Sequence, residues 1–166
     1  MSFIAHPPQS TTPAAAPAPA PAGIVENDGW FPDIALSDLR DAMRLDGTVT
    51  DARLVQAVVD AILHVNRELQ QWQGQHAVAG VAAMADVPAT RINRESRLLA
   101  QYRRAVYSTA KADLIERYRD YDTTASSLSD KKSMEALDEA PGAQRRNAQW
   151  AIADIVGRTH LTVELI

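Results

Sequence analysis

Between residues 54 and 72 the apolar side chains fall in a single file. Leu54, Val58, Ile62, Val65, Leu69 and Trp72 step by four, four, three, four and three. A helix turns once in about 3.6 residues, so these steps place all six on one face. Asp60, His64, Arg67 and Gln71 lie mostly on the other side. A long helix with one apolar face has to bury that face against other elements. Thr50 is a suitable N-cap, and Asp51 then sits where the helix dipole favours negative charge. The helix is expected to end near "QWQGQ", with Gly74 as a weak breaker.

The rest of the ordered chain also reads as helix. Trp30 and Phe31 are core anchors ahead of a short helix at about residues 38–45, capped by Ser37 and stopped by Gly47. "HAVAGVAAMADVPATRIN" reads as a long connection broken by Pro88, with Asp86 or Asn93 as a cap for the next helix. That second long helix spans about residues 94–121. Leu98, Leu99, Tyr102, Val106 and Ala110 form its first apolar face, and Leu114, Tyr118 and Tyr121 continue it, rotated round the cylinder. The rotation predicts two different neighbours along the length. Asp113 falls in the first apolar sector, and Arg117 comes one turn later, in the order that favours pairing. They are expected to pair at a half-buried site or a subunit boundary. Pro141 suits the first turn of a last helix, with Ala148, Ile152, Ile155 and Val156 on its apolar face and Gly157 at its C-terminal cap.

The two ends differ from this middle. Six of the nine prolines lie in residues 1–25, and no charged side chain precedes Glu26. Alternating Pro and Ala cannot bury enough surface to offset chain entropy, so residues 1–29 are expected to be a disordered, semi-extended arm. At the other end "RTHLTVELI" alternates. In residues 158–166, Leu161, Val163 and Leu165 point one way and Thr162, Glu164 and Ile166 the other, as in a strand. No second convincing strand is visible in the sequence. The tail, from His160 to Ile166, is therefore expected to pair with another polypeptide. The fold class that results is all-α: a bundle of about four main helices over residues 30–157, flanked by arm and tail.

Several chemistries lack their residues. The chain has no cysteine, which excludes disulfides and thiolate sites. There is no phosphate-binding glycine loop, GxSxG, HExxH or EF-hand pattern. The histidines at 6, 64, 76 and 160 share no metal-ligand spacing, so no catalytic residue, metal or cofactor is expected. No apolar run nears the length of a membrane span, and no basic, apolar leader opens the chain. A soluble protein used without export is the expectation.

One charge feature remains. Residues 91–119 carry eight basic groups against three acids. On a helix, Arg94, Arg97, Arg104, Lys111 and Arg119 share about a third of the circumference. This face could meet nucleic acid, an acidic protein surface or only solvent. The net charge of -4 and the lack of interleaved aromatics favour solvent or a protein contact over DNA.

The blocks "AILHVNRELQQW", "DVPATRINRESRLLAQYRRAVYSTAKADLIERYRDYDTT" and "RNAQWAIADIVGRTHLTVELI" resemble, in order and spacing, the head-completion (head–tail connector) proteins of contractile-tailed temperate phages. The similarity covers roughly residues 30–166 and not the Pro/Ala arm. The resemblance implies a non-catalytic virion protein at the head–tail junction, assembled in the host cytoplasm. It implies a ring of this chain, about twelve copies, on the portal protein after DNA packaging. The ring would stabilise the filled head and present a surface to a tail-completion or tail-terminator protein. DNA would be passing or enclosed cargo, and no membrane is involved. The tail would contact portal or a neighbouring subunit, and Arg94, Arg97, Arg104, Lys111, Asp113 and Arg117 would be interface or channel charges. The alternative is a helical DNA-binding packaging or regulatory protein that uses the basic face.

Overall fold

The computed structural model describes residues 23–45, 49–122 and 141–160, with side chains as far as Arg117 in the second of these stretches. Four helices carry the fold: α1 (Leu36–Met43), α2 (Asp51–Val78), α3 (Arg97–Asp122) and α4 (Pro141–Val156). Two short antiparallel pairs accompany them. β1 (Ile24–Val25) runs against β2 (Ile34–Ala35), with Ile24 opposite Ala35. β3 (Arg91–Ile92) runs against β4 (Glu95–Ser96), with Arg91 opposite Ser96. The all-α reading holds, although sequence periodicity found neither strand pair. Two residues per strand are too few to show alternation.

The N-terminal pair moves two boundaries. Ile24 and Val25, read from the sequence as part of the arm, pair with β2, and the Leu36 amide donates to the Gly23 carbonyl at 2.8 Å. That bond also explains the start of α1. Ala35, still in extended conformation, is the cap residue and makes no side-chain cap bond. Ser37, the expected cap, lies inside the first turn and bonds Asp38 instead. Gly47, the expected stop, lies outside the described residues. The helix ends earlier, at Arg44 with φ 52, where the Leu45 amide donates to the Arg40 carbonyl and the Arg44 amide to that of Asp41.

This reciprocal pair of bonds is the Schellman arrangement. It recurs after α2, where Gly80 has φ 84, Val81 donates to His76 and Gly80 donates to Ala77. Gly74 therefore does not stop α2. A mid-helix glycine costs only about 1 kcal/mol, and Trp72 and His76, one turn apart across it, pack edge to face at 4.5 Å. After α4, Gly157 with φ 72 places Arg158 to donate to Ala153, as expected of that glycine.

The face of α2 read from the sequence is the buried one: Leu54, Val58, Ile62, Val65 and Leu69 are all buried, with Trp72 packed at the edge. α3 is the central helix. It packs most extensively against α4 and next against α2; Leu114 of the rotated stripe is buried, and the Tyr118 and Tyr121 side chains lie outside the described residues. From Ala105 to Ile115 it is buried nearly all round. The start of α3 is locked by a polar cycle. Tyr102 Oη donates to Asn66 Oδ1 at 2.6 Å, Asn66 Nδ2 donates to Asn27 Oδ1 at 2.9 Å, and Asn27 Nδ2 donates to Tyr102 Oη at 2.8 Å. Phe31 stacks on Tyr102 with ring centroids 4.9 Å apart. Trp30 packs edge-on against Phe31 and Trp72 and donates its indole N–H to the Val81 carbonyl.

Candidate assembly surfaces

The basic face predicted for residues 91–119 is broken up in the fold. Arg94 is not helical. It stands with Asn93 in the two-residue turn of the β3–β4 hairpin, at φ 66 and φ 50. α3 starts only at Arg97, and its cap is Ser96, whose Oγ accepts from the Leu98 amide at 3.3 Å; neither Asp86 nor Asn93 fills that role. Lys111, in line with Arg97 and Arg104 on the wheel, is 8% exposed, because this level of α3 is enclosed. Arg103 is bonded to Glu95. The Arg119 side chain lies outside the described residues. Among the described residues of this row on α3, Arg97 and Arg104 are the exposed ones.

Asp113 and Arg117 make no direct pair. Arg117 Nη2 reaches across to Asp60 Oδ2 on α2 at 2.9 Å, because the tertiary partner offers a closed bond that one helix turn does not. Arg145 of α4 bonds Glu116 of α3 at 2.5 Å. These two ion pairs flank a cleft of about 340 Å³ lined by Asp60, His64, Thr109, Ala112, Asp113, Arg145, Ala148 and Gln149. Among the described residues Asp113 has no direct hydrogen bond. Desolvation by burial pushes its carboxyl above the usual range, the charges of Glu116 and Asp60 add to that, and the guanidiniums of Arg117 and Arg145 work against it. The expectation of a half-buried Asp113 is met, but its setting joins three helices rather than one. The sequence did not link Asp60, His64 and Arg145 to Asp113, because the helices that carry them are far apart in the chain.

The hairpin is a stiff projection. Arg97 donates its amide to the Thr90 carbonyl at 3.0 Å, and Glu95 holds Arg103, so both strands are tied to the start of α3. Arg91, Asn93 and Arg94 are exposed, and Ile92 is 70% exposed. Such a turn, with φ positive at both central residues, ordinarily carries Asn-Gly. The asparagine is in place, and it was the available signal. Arginine at the glycine position hid it.

At the other end the chain turns back on itself. Beyond the Gly157 cap, His160 returns to α4, where its ring stacks on Trp150 at 5.3 Å and its Nε2 lies 2.9 Å from Asp154 Oδ1. Arg146 covers Trp150 at 5.2 Å. Arg146, Trp150 and Asp154 are spaced at intervals of four, so one face of α4 receives the start of the tail. Of the seven tail residues named from the sequence, His160 is placed, and residues 161–166 lie outside those described.

The family model described as phage head completion protein (GPL) matches residues 25–166. The chain belongs to the phage head completion protein family. It is also 39% identical, over 151 residues, to the head completion/stabilization protein of Escherichia phage P2, a match that covers 89% of this chain and 88% of that one. No solved structure matches. The family match takes in α1 to α4 and the tail, and it begins at the strand that opens the described fold. Among the described residues of this head completion family member, no helix is long and apolar enough to cross a membrane.

Proposed function

We propose that this chain is a structural head-completion protein of a tailed phage. It joins the portal vertex after DNA packaging, stabilises the filled head and offers the surface on which the tail, through its completion or terminator protein, is mounted. It does so as a ring of about twelve copies, built in the host cytoplasm and retained in the virion. The observation that carries the reading is the identity of 39% across nearly the full length of both chains with the head completion/stabilization protein of phage P2.

The tail is the portal-binding element in this reading. His160 holds the start of the tail against Trp150 and Asp154 of α4. An extended segment with alternating side chains can add to a sheet edge of a partner. The test is a phage lacking this protein, supplied in trans with the full chain or with a chain cut after His160. The full chain restores tailed, DNA-filled particles in electron micrographs. The truncated chain is expected to keep its helical circular dichroism and to leave filled heads untailed or emptied. Normal particles from the truncated chain would remove the tail as anchor. Normal particles with no chain supplied would remove the head-completion reading altogether.

A further inference from the structure

The hairpin tip and the three-helix cleft have complementary features and lie at different levels of the molecule. The tip is basic and apolar: Arg91, Ile92 and Arg94 are all exposed. Arg94 holds a left-handed backbone that glycine would adopt without strain. Strain retained at an exposed, well-tied turn is a feature of contact sites. The cleft is concave, with Ala112 and Ala148 in its wall and Asp113 inside it. Asp60 and Glu116 are already bonded to Arg117 and Arg145, so Asp113 is the acid at the cleft without a direct partner among the described residues. Thr109 and Asp113 lie 12 and 16 residues beyond Arg97, which is about 18–24 Å along a helix at about 1.5 Å per residue. The tip therefore cannot reach the cleft of its own chain.

We propose that the hairpin tip of one copy docks in the cleft of a second copy, with Arg94 bonded to Asp113 of its neighbour. The contact joins two different surfaces, so each copy offers one tip and one cleft. Repeated head to tail, such a contact closes into a ring when the rotation between copies allows it. This rests on the ring reading of the function and gives that ring its subunit contact. Arginine suits the role because its planar fork can bond a carboxylate through two N–H groups.

The test is a charge exchange in the full-length protein. Wild type, Arg94→Glu, Asp113→Lys and the double variant are purified, and their assembly is monitored by light scattering and negative stain over a range of concentrations. Circular dichroism confirms that each is folded. Wild type is expected to form rings. Each single variant should need about 30-fold more protein or worse to assemble, the usual result of leaving one partner of a buried charge pair alone. The double variant should recover most of that loss. Wild type that stays monomeric at every concentration overturns the proposal together with the ring reading. Rings from the single variants at wild-type concentrations overturn the contact and leave the ring reading standing. Single variants that fail while the double variant also fails show that the two residues do not meet, and this too overturns it.

Discussion

Tyr102, near the start of α3, gives its hydroxyl proton to Asn66 and accepts one from Asn27. Asp113, about three turns further along the same helix, has no such bond. Around Tyr102 the polar groups are neutral, form a closed cycle and lie beneath a stacked phenylalanine. Around Asp113 they are charged, come from three helices and border an open cleft. A neutral closed cycle offers little to a newcomer, since each of its three side chains already donates to the next. A charged, half-open site can change partners. The first region holds the fold in register, and the second is placed to meet another molecule.

Substitution should separate the two regions, with the largest effect at the first. Tyr102→Ala removes a ring that is fully buried, stacked and hydrogen-bonded. It should cost about 3–5 kcal/mol, as large aromatic deletions in cores do, read from urea unfolding. Asp113→Ala should change the stability of the isolated chain by less than about 1 kcal/mol in either direction, since the side chain is partly solvated. Equal losses at the two positions would erase the distinction.

Tyr102→Phe sharpens the comparison. The ring and its stack remain, and only the hydroxyl goes. Asn66 Oδ1 then loses its donor, and Asn27 Nδ2 loses one of its two acceptors and keeps the Pro32 carbonyl. An unsatisfied buried group costs about 1–3 kcal/mol, so this variant should fall between wild type and Tyr102→Ala. Stability equal to wild type would mean that stacking alone holds the segment around Asn27. Burial, as the main cause, also holds the Tyr102 hydroxyl well above its ordinary pKa, so the phenol should not ionise in the folded chain below the alkaline limit of the fold.

At the cleft, Asp60→Asn breaks the ion pair with Arg117. Both groups are partly exposed, so the loss should be about 0.2–1 kcal/mol and should shrink as salt is added. The Tyr102→Phe loss should not depend on salt, because no charge is involved. A salt-independent effect at Asp60 would place that pair with the first region instead.

The same contrast decides what the sequence could disclose. The buried face of α2 was legible residue by residue, from Leu54 to Leu69, because one helix fixes its own period. Tyr102 was legible as core, but its cycle with Asn27 and Asn66 was not. Those residues are 75 and 36 positions away, and their polar side chains alone do not announce burial. Lys111 was assigned to an exposed basic row because a helical wheel shows direction and not what covers it. Arg94 was assigned to helix because arginine is a good helix former and stands where a turn of this kind ordinarily carries glycine. The cleft failed for the same reason as the cycle. Asp113 was singled out, yet Asp60 and Arg145 had no signal that linked them to it.

The smallest expected effect concerns Asp113 alone and carries its sign in the pH. Burial raises the folded-state pKa of this carboxyl above its ordinary value. Between the unfolded and folded pKa values the folded chain therefore holds the extra proton. The resulting stabilisation is fully present below the ordinary Asp value of about 4 and is lost as pH rises through the raised folded-state value. At neutral pH the ionised carboxylate is thus a mild burden on the free chain, and Asp113→Asn should raise its melting temperature. The gain should be below about 1 kcal/mol, because the side chain is partly solvated, and it should shrink toward zero as the pH falls to about 4. Thermal melts of the two chains from neutral to acidic pH measure it directly. A variant less stable than wild type at neutral pH would mean that Asp113 already has a favourable bond in the single chain. A gain in the free chain, coupled with lost assembly, would instead identify Asp113 as a charge whose stabilising partner arrives from outside.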